Sequence, residues 1–323
     1  MTRILVTGSI AYDLLLGYDG SFRDAIDPAD LDHLSVSFFS PHFARHHGGT
    51  GANIAWNLTI LEQDPCLVAS VGADGEAYLA LLRERGIDTS RIEVLRDRVT
   101  ATAIIGTDTS ERQIAFFHPG ADAHGSWPAN LADQREEFTH AIISPRDPVA
   151  MMQAVRFCRV WKIPYLFDPG QQVISLSRDE LVSALEGAAG VIANTYEWSL
   201  LSEKIGVSTS KLLDRTPMLI VTAGEEGFTV YRRKEPAITL PACRPDRLVN
   251  PTGAGDALRA GVLAGLASGW DLRQCGMLGA SIASFVVERE GTLLDHVDID
   301  DILGRAEETY GERLPELTML GHS

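Results

Sequence analysis

Residues Asn250-Pro-Thr-Gly-Ala-Gly-Asp-Ala-Leu-Arg-Ala-Gly-Val-Leu-Ala-Gly-Leu266 join a phosphate-sized loop, a carboxylate and a helix start in one uninterrupted run. Gly253, Ala254 and Gly255 carry little or no side chain, so their backbone N–H groups can face outward and be approached closely. From Ala254 onward Leu258, Val262, Leu263 and Leu266 recur at helical spacing, which sets the small residues at a helix N-terminus. There the unpaired N–H groups and the positive end of the dipole stabilise a transferring phosphoryl group. Asp256 falls in the first turn, where a carboxylate can take a proton from an attacking hydroxyl. The same residues also read as a helix that simply caps itself with an aspartate.

The rest of the chain supplies a parallel sheet for this run. Residues 3–9 form a β-branched run ending near Gly8, and Asp13 lies just past its carboxyl end, either as a turn residue or where ligands sit in open α/β sheets. Strands are expected at 66–72, 92–95, 141–144, 165–168, 191–194 and 218–222, with helices at 74–85, 147–160, 271–288 and 298–310. Such β-α alternation predicts helices on both faces of a mostly parallel sheet. Residues 101–105 and 113–117 break the rhythm as an antiparallel hairpin. Two strands alone are marginal in water, so they are expected to pair with strands from 14–47, one of them at 34–39, in a small lid. His42, His46 and His47 read as solvated loop histidines, since no carboxylates or cysteines converge with them in sequence.

A second glycine cluster, Gly48-Gly-Thr-Gly-Ala-Asn-Ile-Ala55, runs into a helical pattern. It lacks both the Gly-Lys-Ser/Thr of a Walker loop and the third glycine of a dinucleotide fingerprint. Glycine lets a ligand approach the backbone, and the amide of Asn53 offers both donors and an acceptor. A third segment, Val191-Ile-Ala-Asn-Thr-Tyr-Glu197, is a strand ending in a potential capping box. Phe167-Asp-Pro-Gly-Gln171 turns at the carboxyl edge of the sheet, as a ligand contact or a plain Pro-Gly turn.

Asn-Pro-Thr-Gly-Ala-Gly-Asp-Ala, Gly-Gly-x-x-x-Asn-x-Ala and Asn-x-x-Glu, in this order, resemble the three signatures of the ribokinase/PfkB family of small-molecule kinases. Asn250 stands where that family usually has an aspartate, and Leu258 where an aromatic is usual. The resemblance implies a ribokinase-like three-layer α/β/α sandwich, one domain over residues 1–323, with a discontinuous β lid from about 14–47 and 98–119. It implies Asp256 as general base, an anion hole of Gly253, Ala254 and Gly255, and Arg112 as a lid arginine reaching the phosphates. Asp13, Gly49, Thr50 and Asn53 would bind the acceptor, with Phe116 from the hairpin against it. Asn194, Thr222, Gly224, Gly227 and Thr252 would contact ATP, and Glu197 would position Mg2+ largely through water. Relatives often bind a monovalent cation such as K+ near Arg289-Glu-Gly-Thr292, and Asn250 leaves that cation open here.

Composition narrows the partners. A formal net charge of -16 argues against nucleic acid, which demands excess Lys and Arg. Cys66, Cys158, Cys243 and Cys275 are widely spread and read as buried hydrophobes in a reducing cytoplasm. No apolar run approaches a membrane span, and residues 1–8 enter a strand without a signal-peptide core. Phe-His-Pro-Gly-Ala, Phe-Asp-Pro-Gly-Gln and Asn-Thr-Tyr-Glu-Trp resemble bacterial and archaeal adenosine or nucleoside kinases more than ribokinase or fructokinase. The expectation is therefore an ATP-dependent, cytoplasmic kinase of a purine nucleoside, monomer or homodimer. A free-sugar kinase is the near alternative, and a non-catalytic nucleotide or nucleoside sensor the one from another class.

Overall fold

The structure, a computed structural model, describes residues 3–26 and 35–318. Among them nine strands form one sheet, in the order Ile238–Leu240, Phe228–Arg232, Met218–Thr222, Gly190–Asn194, Tyr165–Phe167, Phe138–Ile143, Arg3–Thr7, Pro65–Gly72 and Ile92–Leu95. The strands from Met218–Thr222 to Ile92–Leu95 pair parallel, so their carboxyl ends share one edge. The hairpin at the other end is antiparallel. Every residue of Arg3–Thr7 and Pro65–Gly72 is buried, as expected of strands covered on both faces.

Alternation along the strands divides the core into two layers. Ile4 and Val6 face the helices Thr50–Ile60, Ala254–Ala267 and Leu272–Val286, whereas Leu5 faces Pro148–Trp161, Arg178–Leu185 and Thr195–Ile205. The three-layer α/β/α sandwich follows directly. Ala254–Ala267 and Leu272–Val286 are buried along most of their length, and glycines let them approach closely. A Cβ at Gly261 would lie 2.4 Å from Gly279 Cα, and one at Gly279 would lie 2.6 Å from Leu258 O.

A smaller sheet crosses the carboxyl edge, in the order His42–Gly48, Ala11–Gly17, Ala101–Thr107, Gln113–His118. The hairpin is antiparallel, but Ala11–Gly17 joins Ala101–Thr107 in parallel and starts earlier than residue 14. The histidines expected in a loop lie on a strand, and the ring of His47 packs against both Tyr12 and Tyr78. The strand expected at 34–39 is absent over 35–39, and residue 34 lies outside the described residues. Phe38 instead packs edge-on against Tyr18 and Phe22, an aromatic contact in place of backbone pairing. The helix expected from residue 74 begins at Glu76, because Asp74 Oδ1 accepts from the N–H and hydroxyl of Thr100. All four cysteines are buried and free.

Two glycine substitutions in helices should move stability in opposite directions, read from urea denaturation midpoints. Gly261→Val forces apart two packed helices and should cost about 1–3 kcal/mol. Gly304→Ala meets nothing within 4 Å in the helix Ile299–Tyr310 and should stabilise by about 0.5–1 kcal/mol.

Candidate active site

The parallel strands deliver their following loops to one edge, and the Gly253 turn lies there. Gly253 has φ 86°, a left-handed conformation suited to glycine, and caps the helix Ala254–Ala267. Asp256 sits in the first turn, and its Oδ2 accepts a hydrogen bond of 2.8 Å from Asn53 Nδ2. Thr292 Oγ1 lies 2.7 Å from Asn53 Oδ1 and 2.8 Å from His47 O, so one hydroxyl ties the residue 292 loop to the stretch 47–53. Asn250 Oδ1 accepts from Thr252 N–H and closes the turn before the helix.

The second glycine cluster faces this turn. Gly49 has φ 95° and caps the helix Thr50–Ile60, and a Cβ there would lie 2.6 Å from Ala11 N. Thr50 is committed to the framework: its N–H donates to Ser9 Oγ and its hydroxyl to Pro145 O. The side chain of Asp13 lies over Gly48, where a Cβ would come within 2.5 Å of Oδ2. Burial pushes the Asp13 carboxyl above the usual carboxylate range, against the pull of His46.

Strand register decides which lid residues share the face of Asp13. His46, Asp13, Ala103 and Phe117 lie opposite one another across four strands and therefore point to one side. Phe116 pairs with Ile104, which pairs with Leu14, so it occupies the other face. Phe117 thus replaces Phe116 as the hairpin aromatic on the Asp13 side. Arg112, expected at the phosphates, is turned back into the hairpin: Nε donates to Asp108 Oδ2 at 3.1 Å and Nη2 to Ser21 Oγ at 2.7 Å. Asp108 also accepts from the N–H groups of Phe22, Ser110 and Arg112, and these bonds organise the hairpin turn.

On the other flank, Asn194 and Glu197 form a complete capping box at the start of Thr195–Ile205. Thr222 pairs with Asn194 in the sheet, and Gly224 and Gly227, at φ 60° and 97°, shape the turn beyond it. Gly227 is needed by the fold, since a Cβ would lie 2.1 Å from Leu240 O. Between the flanks lies Arg259, 7% exposed, donating to Asp168 through Nε at 2.5 Å and Nη2 at 3.0 Å. Arg259 Nη2 is 4.0 Å from Glu197 Oε2. Burial raises the Glu197 carboxyl and the neighbouring Asp168 charge adds to it. Burial pushes Asp256 up to about 6, opposed by Arg259 and by the Asn53 hydrogen bond.

Residues 1–298 match the pfkB family of carbohydrate kinases.

The chain belongs to the pfkB family.

Within that family it is similar to the nucleoside kinase of Methanothermobacter thermautotrophicus, 32% identical over 315 residues that span 97% of this chain and 98% of the relative. The structure of Burkholderia thailandensis nucleoside kinase in complex with inosine is 32% identical, with a TM-score of 0.85 over 96% of this chain and 99% of that one. The same enzyme in complex with ADP-inosine gives a TM-score of 0.83 over 98% and 99%. A ribokinase of Arabidopsis thaliana, at 17% identity and a TM-score of 0.81, shares the ribokinase-like fold.

In this pfkB-family chain the short motifs do not mark Arg259, and they leave Asp168 as a ligand contact or a turn. A charged residue one turn into an apolar helix was the available signal, because such a side chain stays buried only with a partner. The carboxyl groups of Asp168, Glu197 and Asp256 outnumber the one guanidinium beside them, and among the described residues no three such groups stand close enough to enclose a metal ion directly.

The raised Asp256 carboxyl has a consequence for stability. A carboxyl titrating higher in the folded chain than its ordinary 3.8 holds its proton longer there, so stability falls as pH rises from about 4 through about 6. Asp256→Asn should therefore stabilise the fold at pH 7 by about 1–3 kcal/mol and bring little gain at pH 4, measured by thermal unfolding at both values.

Proposed function

We propose that the protein is an ATP-dependent nucleoside kinase acting on the 5′ hydroxyl of a purine nucleoside. The observation that carries this reading is the Asp256 carboxylate, held by Asn53 at the first turn of the helix that Gly253 opens. Family membership and the nucleoside kinases among the similar proteins support the acceptor class. The known complex of one such relative with inosine supports a purine.

Asp256 takes the proton of the 5′ hydroxyl while that oxygen attacks the γ-phosphorus. The bond from the γ-phosphorus to the bridging oxygen breaks, and ADP leaves with the electron pair. The N–H groups of Gly253, Ala254 and Gly255 receive the negative charge of the transferring group, aided by the helix dipole. Asp13 and Asn53, with the open backbone at Gly49, hold the ribose hydroxyls, and Thr50 keeps that loop in place. Phe117, on the Asp13 face, lies on the side where a base would stack. Asn194, Thr222, Gly224, Gly227 and Thr252 line the flank assigned to ATP. Glu197, with Asp168 nearby, would hold Mg2+ through water, and the ion would neutralise phosphate charge there. Arg112 shapes the hairpin turn in this conformation.

ADP release with ATP and Mg2+ across adenosine, inosine, guanosine, ribose and fructose tests the reading. We expect turnover with a purine nucleoside, lowered about 10²–10⁴-fold by Asp256→Ala. Because the base must be ionised, kcat/KM should be full above about pH 6 and fall as pH drops through it. Turnover on free sugars alone would remove the nucleoside assignment. ADP binding without turnover on any alcohol would favour a sensor.

A further inference from the structure

Arg259 has a third nitrogen that the fold does not use. Nε and Nη2 are both spent on Asp168, whereas Nη1 makes no hydrogen bond among the described residues. Nη1 lies against Gly255, 2.8 Å from the position a Cβ would occupy there. Gly255 is thus small for a reason beyond an accessible amide: any side chain would displace a guanidinium. Helical side chains lean toward the N-terminus, so a residue one turn on from Gly255 reaches the exposed amides of the first turn.

The surroundings fix this guanidinium and leave one edge of it available to a ligand. The side chain is more than nine-tenths buried, and the bidentate pair with Asp168 holds its plane in one orientation. An anion on the helix N-terminus would supply the acceptor that Nη1 lacks among the described residues. Asp168, Glu197 and Asp256 all act on this guanidinium, so an incoming phosphoryl group meets repulsion that the guanidinium reduces.

We propose that Arg259 is a catalytic residue of this site: anchored by Asp168, it presents Nη1 over Gly255 to the phosphoryl group held on the helix N-terminus. Asp168 is then a positioning residue that acts through Arg259. The assignment rests on the phosphotransferase reading. Arg259 exchanges no proton and forms no covalent bond; it meets the charge spread over the phosphoryl oxygens as the bond to ADP lengthens. A lysine would keep the charge without the fork that Asp168 holds.

The test compares wild type, Arg259→Met, Arg259→Lys, Asp168→Asn and the Asp168→Asn/Arg259→Met pair. Arg259→Met should lower kcat about 10²–10³-fold. Its Kd for ADP should change less than about tenfold. Asp168→Asn should lower kcat alone and add little in the Arg259→Met background, because both act through one group. Calorimetry of ADP with and without aluminium fluoride, a mimic of the transferring group, reads the same contact without turnover. Fluoride should tighten ADP binding in wild type and lose that effect in Arg259→Met.

A kcat within about threefold of wild type in folded Arg259→Met would overturn the proposal, as would full retention of the fluoride effect. Should Arg259→Met fail to fold, Arg259→Lys and guanidinium rescue of Arg259→Ala read the same contact, and wild-type kcat in the lysine variant would overturn it. Absence of wild-type turnover on every acceptor would count against the kinase reading instead, and the fluoride comparison would then decide the Arg259 contact by itself.

Discussion

Three carboxyl groups from three separate segments, Asp168, Glu197 and Asp256, meet at one edge of the parallel sheet, and the guanidinium of Arg259 lies among them. A buried carboxylate without a counter-charge would protonate, because desolvation penalises its charged form. Arg259 meets that penalty through two hydrogen bonds to Asp168 and a longer approach to Glu197, and it pulls Asp256 downward against burial. The outcome is graded along the edge. Asp168 takes both of the short guanidinium hydrogen bonds, while Asp256 stands near 6, where it can both hold and release a proton close to neutral pH.

A second polar chain sets the opposite wall. His47 O, Thr292 Oγ1, Asn53 Oδ1, Asn53 Nδ2 and Asp256 Oδ2 follow one another within hydrogen-bond distance. They join the small sheet, the helix Thr50–Ile60, the loop at residue 292 and the helix Ala254–Ala267. A change in the small sheet therefore reaches the carboxylate through three contacts. Trp56 extends the same connection by donating to Leu294 O from the next turn of its helix. Rigid support of this kind keeps a first turn of helix in place where several charges gather.

Much of the scaffold was legible from local pattern. The burial of Arg3–Thr7 and Pro65–Gly72 follows from continuous apolar runs, and the helix Ala254–Ala267 from its recurring leucines, because periodicity reports which face avoids water. Asn194 and Glu197 form the capping box their spacing suggests, a bond pattern closed within four residues. Longer-range matters were less readable. The residues 35–39 look extended, yet Phe38 satisfies its apolar surface on Tyr18 and Phe22 without pairing its backbone. Phe116 and Phe117 are adjacent and chemically alike; the pleat sets them on opposite faces, and only register with Ala103 and Asp13 decides which one shares the Asp13 face. Arg112 sits in a polar turn that hides its own partner, Asp108, buried four residues before it.

By itself the sequence determined the α/β class, the glycine turns at Gly49 and Gly253 and the presence of a carboxylate at a helix N-terminus, since each depends on residue type and short spacing. Tertiary structure decided which of those groups meet, Asn53 with Asp256 and Asp168 with Arg259, and that Phe117 shares the sheet face of Asp13. The reason is that charge balance and hydrogen bonding at a buried site depend on distance in space. Residues 91 positions apart in the chain become a bonded pair only when the sheet order brings the end of Tyr165–Phe167 beneath the helix Ala254–Ala267.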